Sequence, residues 1–277
     1  MLKRIVRRLL AEFGNLIPAR KPSKTYNGVI VSLTSYSARL KKLHIVIRSL
    51  LKQKVAAEKI ILYLGTDTRE SDIPKKLKDL TKYSFEIKTG CQDLKPHKKY
   101  FFSMQEYPEH TIITVDDDAI YDKNLVCDLV ECSKKHPGCV VARRVHRITV
   151  DRDGSLNPYA KWKWEERSIV EPSHKLIATG CGGVLYPPHI LPKDTFDSDS
   201  IREYCLDTDD IWLKFMELKN DVKVVFSNNN VVHPLSIRHS QDVGLFKSNT
   251  SNENRNDINI EKMRQFTGVK LELSVRD

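Results

Sequence analysis

The chain has 277 residues, of which 40% are hydrophobic, enough for one large α/β domain and too many for wholesale disorder. Its formal net charge is +10, which favours anionic partners such as nucleic acid, anionic lipid or phosphorylated small molecules. The six cysteines form no Cys-x-x-Cys pair and no secretory signal is evident. This pattern disfavours a zinc cluster and predicts reduced thiols in a cytoplasmic protein.

The first 22 residues have a character of their own, because apolar side chains fall at helical spacing with basic side chains between them. The apolar set is Leu2, Ile5, Val6, Leu9, Leu10 and Phe13, and the basic set is Lys3, Arg4, Arg7 and Arg8. The pattern predicts an amphipathic helix, too short and too charged to span a bilayer, on the anionic inner face of the cytoplasmic membrane. A helix that docks on its own domain or holds a partner chain has the same pattern. Residues 1–22 comprise this helix and a linker, and we place the catalytic domain at 23–277.

Strands and helices alternate from Tyr26 onward. The predicted strands are 29–33, 59–64, 84–88, 111–115, 139–150 and 222–226, and the predicted helices are 40–51, 71–82, 98–107, 125–135 and 258–266. This order predicts an α/β domain with a mostly parallel central sheet flanked by helices, its first half at about 26–122 and its second at about 139–277. No Gly-x-Gly-x-x-Gly or P-loop motif occurs, which argues against an ordinary dinucleotide or Walker-type site.

Three adjacent carboxylates, Asp116, Asp117 and Asp118, follow the β-branched strand 111–115. They repel one another unless water, hydrogen-bond donors or a cation offset their charge. Mg²⁺ and Mn²⁺ prefer oxygen ligands, and open α/β sheets bind ligands beyond the carboxyl ends of their strands. The triplet is therefore a candidate metal site, and a solvated acidic turn is the alternative.

Further polar residues accompany other strands. Thr34, Ser35, Tyr36 and Arg39 follow the first strand and lie at another strand mouth. The predicted strand 139–150 contains Arg143, Arg144, His146 and Arg147, which suit phosphate contacts but also suit a charged, solvent-facing sheet edge. Trp162 and Trp164 come next, and such aromatics either stack on a sugar or base ring or plug the edge of a domain.

A glycine-rich stretch and a second acidic group complete the candidates. Residues 178–188 contain Gly182 and Gly183, which allow a bound sugar close to the backbone or form a bulge before a strand. The carboxylates of the segment from Asp207 to Asp210 lie in the first turn of a predicted helix, with Asp207 or Thr208 as its N-cap. The helix dipole stabilises an ionised carboxylate in this first turn by roughly 0.3–1 kcal/mol. A carboxylate that stays ionised can accept a proton or stabilise a developing cation. Helix capping alone explains one or two of these acids.

Five motifs occur in one order between about Val29 and the middle 220s. They are Val-Ser-Leu-Thr-Ser-Tyr with Ala38-Arg39, Ile-Thr-Val-Asp-Asp-Asp, His-Arg-Ile-Thr from His146, Ala-Thr-Gly-Cys-Gly-Gly-Val-Leu-Tyr-Pro-Pro, and Thr-Asp-Asp-Ile-Trp. In this order they resemble the bacterial GT-A-type glycosyltransferases, family 2-like, that build capsule and lipopolysaccharide chains. The resemblance implies a GT-A-like (Rossmann-like) sheet and transfer of a sugar from a nucleotide-diphosphate donor to a glycan or lipid-linked acceptor, with Mn²⁺ or Mg²⁺ as cofactor.

The resemblance also implies roles for individual residues. The nucleotide-sugar-binding candidates are Thr34, Ser35, Tyr36, Arg39, Lys98, Asp116, Asp117, Arg144, His146, Gly182 and Gly183. Asp116 and Asp118 would hold the metal; no third ligand is obvious, and the candidates are His233, then His239 and Asp257. Asp210, with Asp209 as the other candidate, would act as base toward the acceptor hydroxyl, or would stabilise an oxocarbenium-like state if the anomeric configuration is retained.

Two other functions fit part of the sequence. A metal-dependent nucleotidyltransferase or other phosphoryl-transfer enzyme would use the acid triplet but has no need for Asp209, Asp210 or the paired glycines. A basic nucleic-acid-binding protein would account for the charge. That charge is concentrated in the first helix and one strand, and no recognised nucleic-acid motif appears, so we predict no nucleic-acid partner. The donor, acceptor, linkage and oligomeric state are left open.

Overall fold

The structure is a computed structural model that describes residues 24–227, 235–237 and 254–273. The predicted helix and linker at 1–22 and the candidate ligands His233 and His239 lie outside the described residues. Numbered in chain order, the described strands are β1 Thr25–Ser35, β2 Ala56–Gly65, β3 Phe85–Cys91, β4 Thr111–Thr114, β5 Ala119–Ile120, β6 Val140–Ala142, β7 Val145–Arg147, β8 Leu176–Ala178, β9 Val184–Tyr186, β10 Val224–Phe226 and β11 Leu235–Ser236. The described helices are α1 Leu40–Leu51, α2 Lys75–Lys78, α3 Lys98–Glu106, α4 Leu125–Lys135, α5 Ser198–Ser200, α6 Asp209–Lys219 and α7 Arg255–Thr267.

Seven strands form the central sheet in the order β10-β6-β9-β4-β1-β2-β3. Neighbouring strands run parallel except at β9, which is antiparallel to both β4 and β6. The predicted α/β class, with a mostly parallel sheet flanked by helices, is confirmed. Parallel strands end at one edge of a sheet, so the residues that follow β1 and β4 meet there.

The sheet is buried on both faces. Val29 and Val31 of β1 point into one apolar cluster with α1, α2 and α4, whereas Ile30 points to the opposite face. This alternation follows from the two-residue period of a strand. On the opposite face, α3, α6 and α7 contribute Tyr100, Trp212 and other side chains to the second large cluster. A sheet covered on both sides leaves the strand ends as the natural place for ligands.

The predicted strand at 139–150 is wrong as a single strand. β6 belongs to the central sheet, whereas β7 pairs with β8 in a separate two-stranded sheet. The chain changes sheet at Arg143, whose guanidinium is buried and ion-paired with Asp122 at 2.7 Å and with Asp128 at 3.3 Å. Arg143 therefore ties the end of β6 to α4.

The remaining differences between the predicted and the observed elements are smaller. The predicted helix at 71–82 is helical only at Lys75–Lys78, where Leu77 is the one buried residue. β10 is followed by β11, which pairs antiparallel with β5 just beyond the acid triplet.

All six cysteines are free thiols, with Cys139 and Cys205 buried. Across the described ranges, no helix combines the length and apolarity that crossing a membrane requires.

Candidate active site

Four segments meet beyond the carboxyl edge of the sheet. β1 ends at Ser35 and β4 at Thr114, and the two strands are parallel, so Asp116–Asp118 extend past the same edge. The turn Gly180–Gly182 precedes the antiparallel strand β9, which brings it to this edge from the other direction. The first turn of α6 adds Asp209 and Asp210. The two predicted acidic groups are therefore in one place.

Asp117 is held by the residues that follow β1. It is buried, and its two carboxylate oxygens accept hydrogen bonds from Ser35 Oγ at 2.6 Å and from Arg39 Nη1 at 2.5 Å. Arg39 Nη2 also lies 3.4 Å from Asp118 Oδ2, and the guanidinium lies 5.4 Å from the centre of the Tyr36 ring. Ser35 and Arg39, two of the predicted nucleotide-binding residues, are thus fixed against the acid triplet by charge-assisted hydrogen bonds.

Lys99 connects the two acidic groups. Its side chain is 4% exposed, and its ammonium lies 2.8 Å from Asp116 Oδ1 and 2.9 Å from Asp209 Oδ2. Burial alone would lower the pKa of Lys99, but the charges of Asp116, Asp209 and Asp210 outweigh it and hold that pKa well above its ordinary value. A buried cation between two carboxylates is expensive to remove, because each partner would be left as an unpaired buried charge.

Gly180 lies where the acids and Lys99 converge. A Cβ built on Gly180 would be 2.9 Å from Lys99 Nζ, 3.2 Å from Asp116 Oδ1 and 3.4 Å from Asp210 Oδ1. The backbone N–H of Gly180 donates to Asp210 Oδ1 at 3.0 Å. A side chain at this position would occupy the space between the carboxylates, so glycine keeps that space open.

The two acids of α6 have opposite titration behaviour. Burial would raise the pKa of Asp209, but the charge of Lys99 lowers it below its ordinary value. Burial, followed by the negative charge of Asp209, raises the pKa of Asp210 well above its ordinary value. Of the two, Asp210 is therefore the stronger base, and it is only half-buried, so a substrate can reach it.

Asp116 and Asp118 fit a hard divalent cation. Their side chains are 30% and 16% exposed. Burial, followed by the charges of Asp116 and Asp117, raises the pKa of Asp118 to about 6, a repulsion that a cation would relieve. No group of three or more His, Cys, Asp and Glu side chains within the described ranges is arranged to hold a metal ion. Two carboxylates are nevertheless enough for Mg²⁺ when substrate phosphates and water complete its shell.

Three other predicted binding residues bond to groups outside the acid triplet. Thr34 Oγ1 donates to the carbonyl of Tyr63 on β2 at 2.8 Å. The ammonium of Lys98 pairs with Asp93 Oδ1 at 2.6 Å. Arg144 Nη1 donates to Thr179 Oγ1 at 2.9 Å, directly before the glycine turn.

The remaining members of the predicted set are buried. His146 is 2% exposed, and its Nδ1 accepts the backbone N–H of Glu165 at 3.0 Å. A Cβ on Gly182 would lie 2.6 Å from Arg144 Cβ, and one on Gly183, where φ is +90°, would lie 2.6 Å from Leu125 Cδ1. These two glycines are required by close packing, whereas Gly180 faces the acidic centre.

Sequence reasoning missed several residues of the site. The one sequence signal for Lys99 is that it lies four residues before Ser103, and so on the same face of the predicted helix at 98–107. That spacing is weak evidence for a role in the site. Tyr121 accepts the N–H of Asp116 at 2.9 Å and donates to the carbonyl of Cys181 at 3.2 Å, so it ties the acid triplet to the glycine turn. The candidate ligand Asp257 accepts the backbone N–H of Tyr159 at 2.7 Å instead.

Comparisons with known proteins give weak structural similarity. No protein-family model matches the sequence, and neither does any curated protein. Among solved structures, GalNAc-T7 with UDP, GalNAc and Mn²⁺ has a TM-score of 0.48 at 12% identity over 73% of this chain, which spans only 41% of that protein. A Pyrobaculum calidifontis mannosyltransferase with GDP-Man and Mn²⁺ has a TM-score of 0.47 at 10% identity over 99% of this chain and 83% of its own. A Desulfovibrio desulfuricans G20 protein, described as a nucleotide-diphospho-sugar transferase, has a TM-score of 0.43 at 12% identity over 90% of this chain and 98% of its own. Similarities of this size assign no activity to this chain.

Proposed function

We propose that the protein is a metal-dependent glycosyltransferase that moves a sugar from a nucleotide-diphosphate donor to a hydroxyl of a glycan or lipid-linked acceptor. The observation that carries the proposal is the meeting of Asp116 and Asp210 at Gly180. A candidate metal ligand and a candidate base separated by an open glycine suit the two ends of a transferred sugar.

Each side of this centre has its own task. Asp116 and Asp118 would hold Mn²⁺ or Mg²⁺, whose charge, when bound, offsets the negative charge that develops on the leaving diphosphate. Asp210 accepts the proton of the acceptor hydroxyl, and its raised pKa makes it suited to do so. Lys99 keeps Asp116 and Asp209 in position through its two ion pairs.

The donor nucleotide is assigned to the side of β1. Ser35 and Arg39 are already oriented by Asp117, so little side-chain freedom is lost when a nucleotide binds. The donor set proposed on this side is Thr34, Ser35, Tyr36, Arg39, Asp116 and Asp117. Of the other residues predicted from the sequence, Lys98 pairs with Asp93, and Arg144, His146, Gly182 and Gly183 lie on the side of the glycine turn.

The proposed setting is surface polysaccharide synthesis at the inner face of the cytoplasmic membrane, reached through residues 1–22. The supporting observation is the alternation of basic and apolar residues in that segment. A protein lacking residues 1–22 should no longer float with vesicles of anionic lipid. Unchanged flotation would assign that segment to another task.

The activity is tested with a panel of nucleotide sugars in the presence of Mn²⁺. We expect at least one donor to raise the melting temperature and to be turned over, with turnover lost in excess chelator. Turnover of a sugar 1-phosphate with a nucleoside triphosphate, and none of any nucleotide sugar, would instead indicate a nucleotidyltransferase.

A further inference from the structure

Trp164 is the exposed member of an aromatic cluster beside the candidate active site. It is 36% exposed, whereas Trp162 and Trp212 are 3% and 0% exposed. Its ring stacks on His146 with the ring centres 5.1 Å apart and the planes 16° apart. Tyr159 contacts the same ring edge-on at 6.0 Å. One large aromatic surface is therefore supported from beneath and remains accessible to solvent.

The backbone that carries Trp164 is held in place on both sides. Arg147 and Lys163 exchange two backbone hydrogen bonds, at 2.9 and 3.0 Å, and the N–H of Glu166 donates to the carbonyl of Val145 at 3.0 Å. The segment thus continues the small sheet of β7 and β8. A side chain on paired backbone is positioned more reproducibly than one on an open loop.

Glu165, the next residue, has a strained backbone with φ of +57°. Non-glycine residues rarely adopt this conformation, and it persists where surrounding contacts enforce it, often at binding sites. Here the N–H of Glu165 is bound to His146 Nδ1, and the carboxylate lies 3.5 Å from Arg144 Nη2. The residue that follows Trp164 in the chain therefore carries a carboxylate that is paired with Arg144.

The cluster is continuous with the acidic centre. Arg144 bonds to Thr179, and the next residue, Gly180, bonds to Asp210. β9 lies on the opposite side of β4 from β1, and the turn at Gly180 leads into β9. The cluster therefore adjoins the side of the centre away from the proposed nucleotide.

We propose that Trp164 is the floor of an acceptor subsite that binds a pyranose ring, with Arg144 and Glu165 placed to meet its hydroxyl groups. A pyranose has an apolar C–H face that packs on an aromatic ring and polar hydroxyls at its rim that need charged or amide partners. The inference rests on the proposed function, because it gives Asp210 the hydroxyl from which it accepts a proton.

Binding is measured through tryptophan fluorescence. The chain has three tryptophans, and only Trp164 is exposed, so Trp164 accounts for quenching by acrylamide and Trp164→Phe removes it. The probes are methyl α-D-glucopyranoside, methyl β-D-galactopyranoside and methyl N-acetyl-β-D-glucosaminide, each at its highest soluble concentration. We expect at least one to protect Trp164 from acrylamide, whereas sorbitol, which has no ring, does not. No protection by any of them, or equal protection by sorbitol, would overturn the subsite.

The second measurement compares sugar transfer to the protecting glycoside with hydrolysis of the donor by water. Trp164→Ala should lower the ratio of transfer to hydrolysis by about tenfold, the usual worth of one good apolar contact, and Trp164→Phe should restore most of it. Val170→Ala, which truncates another exposed apolar side chain of the same loop, is the matched control. An unchanged ratio in Trp164→Ala would refute the subsite, whereas a wild-type protein that neither hydrolyses nor transfers any donor would refute the proposed function, independently of the fluorescence result.

Discussion

Replacing Lys99 with methionine tests the link between the two acidic groups. The ammonium is bound to Asp116 and Asp209 at 2.8 and 2.9 Å, and the lysine side chain is 4% exposed. Removing one partner from a buried ion pair lowers the free energy of unfolding by about 3–5 kcal/mol. Lys98 is the matched control because it is equally buried but pairs with Asp93, which is 53% exposed. For Lys98→Met we expect a loss of about 1 kcal/mol or less.

The loss of unfolding free energy in Lys99→Met should become larger as the pH rises. In the wild type, Lys99 lowers the pKa of Asp209, which stabilises the fold above the ordinary pKa of that acid and is lost as the pH falls. Without Lys99, burial dominates and raises the pKa of Asp209, so the variant loses stability as the pH rises. The difference between wild type and variant therefore grows with pH.

The assay is urea unfolding of both proteins, followed by circular dichroism, in mildly acidic and mildly alkaline buffer. The double variant Lys99→Met, Asp209→Asn should regain much of the lost stability, because it leaves only Asp116 without its cation. The reasoning is refuted if Lys99→Met unfolds at the wild-type urea midpoint, or if its loss is the same at both pH values.

Three further predictions concern the site and its supporting helix. Asp210→Asn should lower turnover by about a hundredfold or more, while the variant still binds the donor in a calorimetric titration. If donor binding is lost, Asp210 contacts the donor and does not act as the base. Gly180→Ala should lower turnover by about a hundredfold with the fold intact by circular dichroism, because its Cβ would lie 2.9 Å from Lys99 Nζ and displace that ammonium; wild-type turnover would contradict the packing described. Burial in α6 beside Lys214 raises the pKa of Glu217 from its ordinary value of 4.5 to about 7. As the pH rises across that interval, the free energy of unfolding of the wild type should therefore fall relative to that of Glu217→Gln. If the free energies of the two proteins depend on pH in the same way, Glu217 does not titrate with a raised pKa.

The elements with strong hydrophobic patterns were predictable from the sequence. α4 begins and ends as expected, and the strand before the acid triplet differs by one residue. Such patterns work because a helix or strand on a buried sheet repeats its apolar residues with its own period. The predicted strand at 139–150 was wrong because Arg143 pairs with Asp122 and with Asp128 of α4, and the chain changes sheet there.

The acidic residues of the site were predictable, and the groups that organise them were not. Clusters of aspartate are visible as sequence, so Asp116 and Asp210 could be named in advance. Lys99 acquires its role only because residues 116 and 209, distant in the chain, fold onto either side of it. Likewise, Gly180 differs from Gly182 and Gly183 only in what each one faces, and that depends on tertiary structure.

The most direct test of the account is Mn²⁺ binding in the presence and absence of a nucleoside diphosphate, followed by electron paramagnetic resonance of the free ion. We predict that the wild type binds Mn²⁺ weakly alone and more tightly with UDP or GDP, because the diphosphate completes the shell that two carboxylates begin. Asp118→Asn should lose this coupling while its circular dichroism spectrum is retained. Equal Mn²⁺ binding by wild type and Asp118→Asn, or no effect of either diphosphate, would contradict the account.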